Sequence, residues 1–286
     1  MSSDFDFDFD FDEIVLPEPP SLRRAVFRGV LRTGFAAAAW LLVGALLVVL
    51  AGIVLAAVRG QHFAEVVQRG ALVGRPEYAS DESDCCPGLG YSLRMDLDLS
   101  ARGAVGGTST LTGVVREGVT GAITAEMPPA AGTPIGDALK RGRPAKDATK
   151  AFLATLPESV VASAVVEFGT PLSADEFLAL TPDSFRAQVF LSPPYDEPIA
   201  SWQVGDLRGF QEWVGHLSGG DDDALRELDA PPLKRLRSLA ADPQVNGAVV
   251  ERLTVAQLRT LLADPRVASV NIAAVGFDPA RQFPTS

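Results

Sequence analysis

The chain has 286 residues, and 36 acidic side chains against 25 basic ones give it a formal net charge of −11. This length suits about two domains of ordinary size. The acidic balance argues against a nucleic-acid-binding face. The charge is unevenly distributed, because residues 1–20 hold seven acids and no base, whereas residues 21–32 hold four arginines and no acid.

The N-terminal segment 1–20 alternates aspartate with Phe5, Phe7, Phe9 and Phe11. Such alternation is typical of a strand, but here every second residue is a carboxylate and nothing follows to pack against. We therefore predict a disordered acidic tail. Two interpretations of its role are open: a solvated tail, or a short linear motif whose phenylalanines bind the sheet edge or groove of a partner protein.

An uncharged stretch of 26 residues, 33–58, follows the arginines. As a helix it would be roughly 39 Å long, against about 30 Å for the hydrocarbon core of a bilayer. A cleaved signal peptide is the competing interpretation, but its apolar region would be shorter, about 7–15 residues, and nearer the N-terminus. The sequence predicts a single transmembrane helix and the lipid bilayer as a partner.

The charges beside this stretch predict its orientation. Four arginines precede it in the basic segment 21–32: Arg23, Arg24, Arg28 and Arg32. Only Arg59 and Arg69 are basic in the dozen residues that follow. Because excess positive charge stays in the cytosol, we expect a cytosolic N-terminus and an extracytoplasmic C-terminal part.

Residues 59–146 are predicted to form a membrane-proximal β-rich region. The helix is expected to continue briefly after the span. Apolar and polar residues alternate strictly over 91–99, which indicates a strand with one buried face. Glycine-rich turns separate two further predicted strands, 108–115 and 122–127. Segment 128–146, rich in Pro, Gly and Ala, is interpreted as a linker with one short helix.

Residues 147–286 are predicted to form an α+β domain with two β-α-β units. Each helix opens with a capping box, Ser173 with Glu176 and Thr254 with Gln257. The pairing of two such units predicts a ferredoxin-like antiparallel sheet with both helices on one face. An insertion, 193–243, separates the units. Its aromatic residues are interpreted as a flap packed on the sheet or as the lining of a ligand crevice: Tyr195, Trp202, Phe210 and Trp213.

The residues required for common catalytic chemistries are missing from the sequence. The only histidines, His62 and His216, share no spacing with each other or with the cysteines that would suggest a zinc site or a triad. Nucleophile-elbow, phosphate-loop and dinucleotide motifs are absent. The acidic run 221–223 precedes a predicted helix, where capping explains it better than calcium binding. We therefore predict a non-enzymatic protein with no cofactor and no metal.

Cys85 and Cys86 are the only cysteines, and they are adjacent. On an oxidising face of the membrane they would form a vicinal disulfide or link two chains. Acidic residues just before them raise a thiol pKa and so disfavour a reactive thiolate. This pattern favours a structural or dimer-linking role over catalysis, with redox sensing as the alternative.

Two resemblances accompany these patterns. Segment 245–272, VNGAVVERLTVAQLRTLLADPRVASVNI, resembles the strand–helix–strand half of the subtilisin-propeptide inhibitor family. The C-terminal region as a whole resembles the C-terminal domain of bacterial sigma factor regulators, in which an acidic, Phe-containing cytosolic tail and a basic patch precede one span, as in 4–32 here. The histidine–cysteine zinc motif of many other anti-sigma factors is absent.

The resemblance that covers most of the chain implies a membrane-tethered signalling regulator, an anti-sigma-like protein. Its tail would bind a cytosolic protein such as a sigma factor, and its outer domain would sense an extracytoplasmic ligand or protein. The alternative is a cell-envelope binding, scaffold or protease-inhibitor-like module anchored to the membrane. Neither function involves direct contact with nucleic acid.

Overall fold

A single long helix, α1 (Leu22–Gly74), contains the whole uncharged stretch. The computed structural model describes residues 22–80, 85–86, 92–104, 110–118, 120–181 and 187–277, and only the backbone of 22–25, 28–33 and 85–86. Because α1 continues to Gly74, well beyond the uncharged stretch, the predicted continuation of the helix after the span is confirmed.

The part of α1 from Gly34 onward is long and apolar enough to cross a membrane. Its most apolar 18-residue window has a mean hydropathy of 3.0, and none of that window is buried. Trp40 is 76% exposed and Leu41 is 75% exposed. An isolated helix that is apolar on every side is not stable with water around it, so this surface requires an apolar environment.

The chain divides into two units, Met1–Ala56 and Ala57–Ser286. All the described strands and the remaining helices lie in the second unit. The helices after α1 are α2 (Pro134–Arg141), α3 (Lys146–Thr155), α4 (Ala174–Leu180), α5 (Leu207–His216), α6 (Asp222–Glu227), α7 (Leu233–Ala241) and α8 (Val255–Ala263). The strands are β1 (Tyr78–Ser80), β2 (Cys85–Cys86), β3 (Leu93–Ala101), β4 (Thr110–Glu117), β5 (Ile123–Glu126), β6 (Val160–Leu172), β7 (Gln188–Phe190), β8 (Ser201–Gln203), β9 (Val245–Thr254) and β10 (Val267–Phe277). The prediction of a mixed α+β protein with antiparallel sheets is confirmed.

The first sheet has the order β1-β3-β4-β5, with β2 also paired to β3. Its central strand β3 shows the predicted alternation, because Met95, Leu97 and Leu99 are buried while the residues between them are exposed. The buried face packs against Phe63 and Val67 of α1. One face of this sheet therefore forms a core with the last turns of the long helix.

The second sheet has the order β10-β6-β9-β7-β8, and every pair is antiparallel. Helices α4 and α8 follow β6 and β9 along the chain, and both begin with the predicted capping boxes at Ser173 and Thr254. One face of the sheet joins the largest core, to which α1 contributes Val66 and Val73. On the opposite face, Ile135 and Ala138 of α2 pack on the strands.

Side chains of the second sheet cap the C-terminal end of α1. The last carbonyls of a helix have no partner within the helix. Ser201 Oγ donates to Leu72 O at 2.9 Å and lies 3.1 Å from Val73 O, and Gln188 Nε2 donates to Leu72 O at 3.2 Å. Gln188 and Ser201 are themselves buried and hydrogen-bonded to each other. These bonds fix the helix end to the sheet at a defined place.

The sequence prediction was incomplete for segment 128–146. The one short helix expected there is α2, whose N-terminus is capped by the Thr133 hydroxyl. A second helix, α3, begins at Lys146 and was not predicted. It lacks a side-chain N-cap, and its buried residues Thr149 and Leu153 are too few to give a clear helical pattern in the sequence.

Candidate functional site at the end of the long helix

A cavity of about 850 Å³ lies beside the C-terminal end of α1. Residues 74–77, at the end of the helix, form one wall. Leu139 and Lys140 of α2 form a second wall, and the loop between β7 and β8 forms a third with Pro194, Tyr195 and Ile199. Residues of α6 and of the α6–α7 connection complete the lining. Prolines restrict the backbone of several wall segments, which favours a preformed site.

Arg75 directly follows the last residue of α1 and makes most of its contacts with the opposite wall. Its Nη2 lies 2.5 Å from Asp229 Oδ2, and its Nη1 donates to Pro128 O at 3.2 Å. Glu77 is farther away, with 3.6 Å between Arg75 Nη1 and Glu77 Oε1. A distance of 3.6 Å is too long for a hydrogen bond. Arg75 is therefore bound mainly to Asp229 and only loosely to Glu77.

Glu77 is a buried carboxyl group, only 3% exposed. Burial raises the pKa of Glu77 above the ordinary value of 4.5, although a backbone hydrogen bond and the nearby Arg75 act in the opposite direction. Desolvation therefore outweighs the stabilisation that its one neighbouring cation provides. The charged form of Glu77 has a high free energy in this place.

Three buried polar atoms on residues that line the cavity have no hydrogen-bond partner in the described part of the chain. They are Arg75 Nε, Glu77 Oε1 and Tyr195 Oη. The Tyr195 hydroxyl lies near the polar side chains of Ser269 and Asn271, and burial raises its pKa. Among the described residues only one further buried atom of this kind exists, Trp213 Nε1. Because buried polar groups are nearly always paired, their concentration here marks the cavity as functionally unusual.

The charged residues at the rim are more exposed. Lys140 and Glu197 are exposed and make no ion pair or hydrogen bond with the rest of the described chain. Arg226 is bound to Asp223 within its own helix. Asp222 Oδ1 accepts from the Leu233 backbone amide at 2.9 Å. Asp221 accepts from the Ser218 amide and hydroxyl in the turn before α6, but at the N-terminus of α6 itself it makes no side-chain cap bond, so the capping expected there is not seen at this residue.

The aromatic residues of segment 193–243 separate into two groups. Trp202, Phe210 and Trp213 are buried and in contact, with 5.5 Å between the ring centroids of Trp202 and Trp213. They form part of the largest core, as expected for a packed flap. Tyr195 instead lines the cavity. Three of the four aromatic residues are therefore core residues, and Tyr195 is the one that lines a cavity.

Several predicted site residues have side chains outside the described part of the chain. Phe5, Phe7, Phe9 and Phe11 lie in 1–20, for which no structure is described. Arg23, Arg24, Arg28 and Arg32 belong to α1, but only their helical backbone is described. Cys85 and Cys86 form β2, paired with Arg94 and Met95 of β3, and their side chains are likewise outside the description. The roles of these residues remain predictions.

Sequence reasoning singled out Tyr195, but it did not find Arg75, Glu77 or Asp229 of the cavity, or the pairing of His62. His62 Nε2 lies 3.0 Å from Asp221 Oδ1, a contact between α1 and a turn far along the chain. Among the described residues no group of three His, Cys, Asp or Glu side chains is arranged to hold a metal ion. The sequence around the cavity, GRPEY at 74–78, indicates only a helix end, through Gly74 and Pro76. Nothing local in it signals that Glu77 is buried.

No protein-family model, curated protein or solved structure matches this chain. The two resemblances described from the sequence therefore remain predictions, and the cavity must be interpreted from its own chemistry.

Replacing Glu77 by glutamine is expected to raise the unfolding temperature at neutral pH. The pKa of Glu77 is raised in the folded chain, so the folded state binds its proton more tightly than the unfolded state does. The stability that this group contributes is therefore fully present below pH 4.5 and is lost as the pH rises through the raised pKa. Glutamine has no carboxyl group to ionise, so the variant does not lose this stability as the pH rises. The measurement is thermal unfolding of wild type and variant from pH 4 to pH 8.

The matched control is Glu197→Gln, which removes an exposed carboxylate from the same cavity and should leave the pH dependence unchanged. A Glu77→Gln variant that is less stable than wild type at pH 7, with equal stability at pH 4, would show that Glu77 is a stabilising carboxylate and contradict this account.

Proposed function

We propose that this chain is a membrane-tethered signalling regulator, with a cytosolic partner-binding tail, one membrane span and an extracytoplasmic sensing domain. The observation that carries the proposal is the fully exposed apolar surface of α1. The same helix supplies Phe63, Val66, Val67 and Val73 to the cores of the C-terminal unit. A membrane-spanning helix that continues into the core of the outer domain is suited to a protein in which a change in the outer domain must be transmitted to the cytosolic tail.

The fold of the outer domain also supports this proposal. The order β10-β6-β9-β7, with α4 after β6 and α8 after β9, is compatible with the ferredoxin-like arrangement of two β-α-β units. The segment between β7 and β9 adds β8, α5, α6 and α7, and contributes the cavity wall at Tyr195. A cavity built partly by the inserted segment is a suitable place for a sensed molecule.

Orientation follows from the arginines that precede the apolar stretch, which would keep the N-terminus in the cytosol. Protease added to intact cells should therefore remove residues beyond 80 and leave an N-terminal fragment inside. Under the opposite orientation, the C-terminal unit would be digested only after the cells are broken open.

The cytosolic tail is proposed to bind a regulatory protein, an alternative sigma factor, through Phe5, Phe7, Phe9 and Phe11. Four phenylalanines on one side of an extended segment would bury apolar area in a partner groove, while the aspartates meet a basic rim. In a pull-down with residues 1–32, we expect a specific cytosolic protein with the wild-type tail and none after the four Phe→Ala changes. The matched control replaces Val15 and Leu16 by alanine, which leaves the alternating segment intact.

Deleting residues 2–20 separates this function from the alternative of an anchored envelope-binding or inhibitor-like module. The regulator requires its tail, so the deletion should reproduce the phenotype of complete loss. An envelope module acts through residues 57–286 alone, so the deletion should then have no effect. Equal recovery of proteins by wild-type and Phe→Ala tails would likewise count against the regulator.

A further inference from the structure

We propose that the cavity at the end of α1 binds a small ligand that carries a protonated amine, and that Glu77 is the residue that pairs with this amine. The inference uses only residues 74–232 of the C-terminal unit. It therefore goes beyond the proposed regulatory function and does not depend on the tail or on the membrane orientation.

The size and lining of the cavity suit a small organic molecule. A volume of about 850 Å³ lies within the range of roughly 300–1,000 Å³ that is typical of ligand sites. Leu139, Pro194, Pro198 and Ile199 provide apolar surface for the carbon skeleton of a ligand. Sites of this kind combine apolar walls with a few polar groups that fix the orientation of the ligand.

The buried carboxyl of Glu77 determines which polar group a ligand must carry. A buried carboxylate has a low free energy only when a cation and hydrogen-bond donors accompany it. Among the described residues, the cation beside it is Arg75, which binds Asp229 at 2.5 Å and lies 3.6 Å from Glu77 Oε1. Glu77 Oε1 makes no hydrogen bond within the described residues. A ligand amine would supply the missing donor and would place a second positive charge closer to the carboxyl than Arg75 is.

Other ligand classes fit less well. A metal ion needs several anionic or imidazole ligands, and no such group of three exists among the described residues. An anionic ligand would face the carboxylates of Glu77, Asp222 and Asp229, and it would find Arg75 and Arg226 already paired. The remaining cation of the lining, Lys140, is exposed at the rim and does not offset these carboxylates. A protonated amine gains from the same acidic lining.

The site lies beside the C-terminal end of α1, so a bound ligand would contact the residues at that helix end. An amine that pairs with Glu77 competes with Arg75 for the carboxyl, and Arg75 is the residue directly after the last turn of the helix. The opposite wall at Asp229 and Ala230 contacts the same helix end, because Gly74 lies against the backbone there. Occupancy would therefore change the contacts that hold the end of α1.

The test uses the full-length protein in lipid nanodiscs with three amine probes, hexylamine, 1,4-diaminobutane and spermidine, and with their fully N-acetylated, uncharged forms. Binding is measured by isothermal titration calorimetry and thermal unfolding. We expect saturable binding of at least one amine and none of its acetylated form. Glu77→Gln should weaken that binding by roughly 10- to 100-fold, the usual effect of losing a charged hydrogen bond. Glu197→Gln is the control and should bind within about twofold of wild type.

Ala131→Trp provides an independent variant, because Ala131 is exposed at the lining and a larger side chain would fill the cavity without disturbing the core. It should abolish binding at an unchanged unfolding temperature. The proposal is overturned if no amine probe binds, if acetylated probes bind equally well, if Glu77→Gln binds as tightly as wild type, or if Ala131→Trp still binds normally. None of these results bears on the tail or on the topology, so the two proposals fail separately.

Discussion

Replacing Gly74 by alanine is expected to destabilise the C-terminal unit by about 3 kcal/mol and to lower its unfolding temperature by roughly 6–12 °C. A β-carbon at this position would lie 2.6 Å from the Ala230 amide nitrogen and 2.7 Å from the Asp229 carbonyl carbon, with the Leu228 oxygen closer still. All three contacts are with backbone atoms, which cannot move aside as a side chain can. The end of α1 would have to separate from the segment 228–230.

Two other helical glycines, Gly70 in α1 and Gly215 in α5, offer graded controls for this substitution. At Gly70 the new β-carbon would meet the end of the flexible Leu228 side chain at 2.9 Å, so Gly70→Ala should cost less. At Gly215 in α5 nothing lies within 4 Å, and the helix propensity of alanine should make Gly215→Ala neutral or stabilising. The measurement is thermal unfolding of the full-length protein in detergent. Equal unfolding temperatures for Gly74→Ala and Gly215→Ala would refute the close packing at the helix end.

Gly74→Ala also has a functional consequence if the cavity binds a ligand. Gly74 and Arg75 line the site, and the substitution would displace the wall formed by Asp229 and Ala230. We expect amine binding to be lost at temperatures where the variant is still folded. Gly215→Ala lies away from the cavity and should bind normally.

Replacing Trp213 by alanine is expected to cost about 3–5 kcal/mol, the usual range for removing a large aromatic side chain from a core. Trp213 is 1% exposed and stacks on Trp202, and it also contacts Phe210 at a centroid distance of 6.3 Å. Arg69 of α1 lies over the Trp202 ring, 5.8 Å from its centroid. The aromatic cluster therefore connects α5 and β8 to the long helix, and its loss should loosen this part of the C-terminal unit.

Trp213→Phe and Phe277→Ala are the matched variants. Phenylalanine keeps one aromatic ring in the core; it removes the rest of the indole together with an N–H that has no partner among the described residues, so it should cost less than alanine. Phe277 is 61% exposed at the end of β10, and its replacement should change stability by less than about 0.5 kcal/mol. The measurement is urea unfolding followed by far-ultraviolet circular dichroism. A Trp213→Ala variant as stable as Phe277→Ala would contradict the assignment of Trp213 to the core.

The sequence by itself determined those features that depend on near neighbours. The uncharged stretch 33–58 defined the apolar helix, and strict alternation identified β3 with its buried face. Ser173 with Glu176 and Thr254 with Gln257 marked the starts of α4 and α8. Each of these signals is a periodicity or a spacing of a few residues, so the local physics of helices and strands is sufficient to interpret it.

Only the tertiary structure decided which residues form the cavity and which hold the end of α1. The segment that carries Arg75 and Glu77 lies far along the chain from Tyr195 and Asp229, and these residues line one cavity only when the sheet and the helices pack. Burial changes a carboxyl group such as Glu77 from an ordinary solvated acid into a high-energy charge, and burial is a property of the whole fold. Glu77 is the third residue after the end of α1, and its local sequence does not indicate which distant segments will bury it.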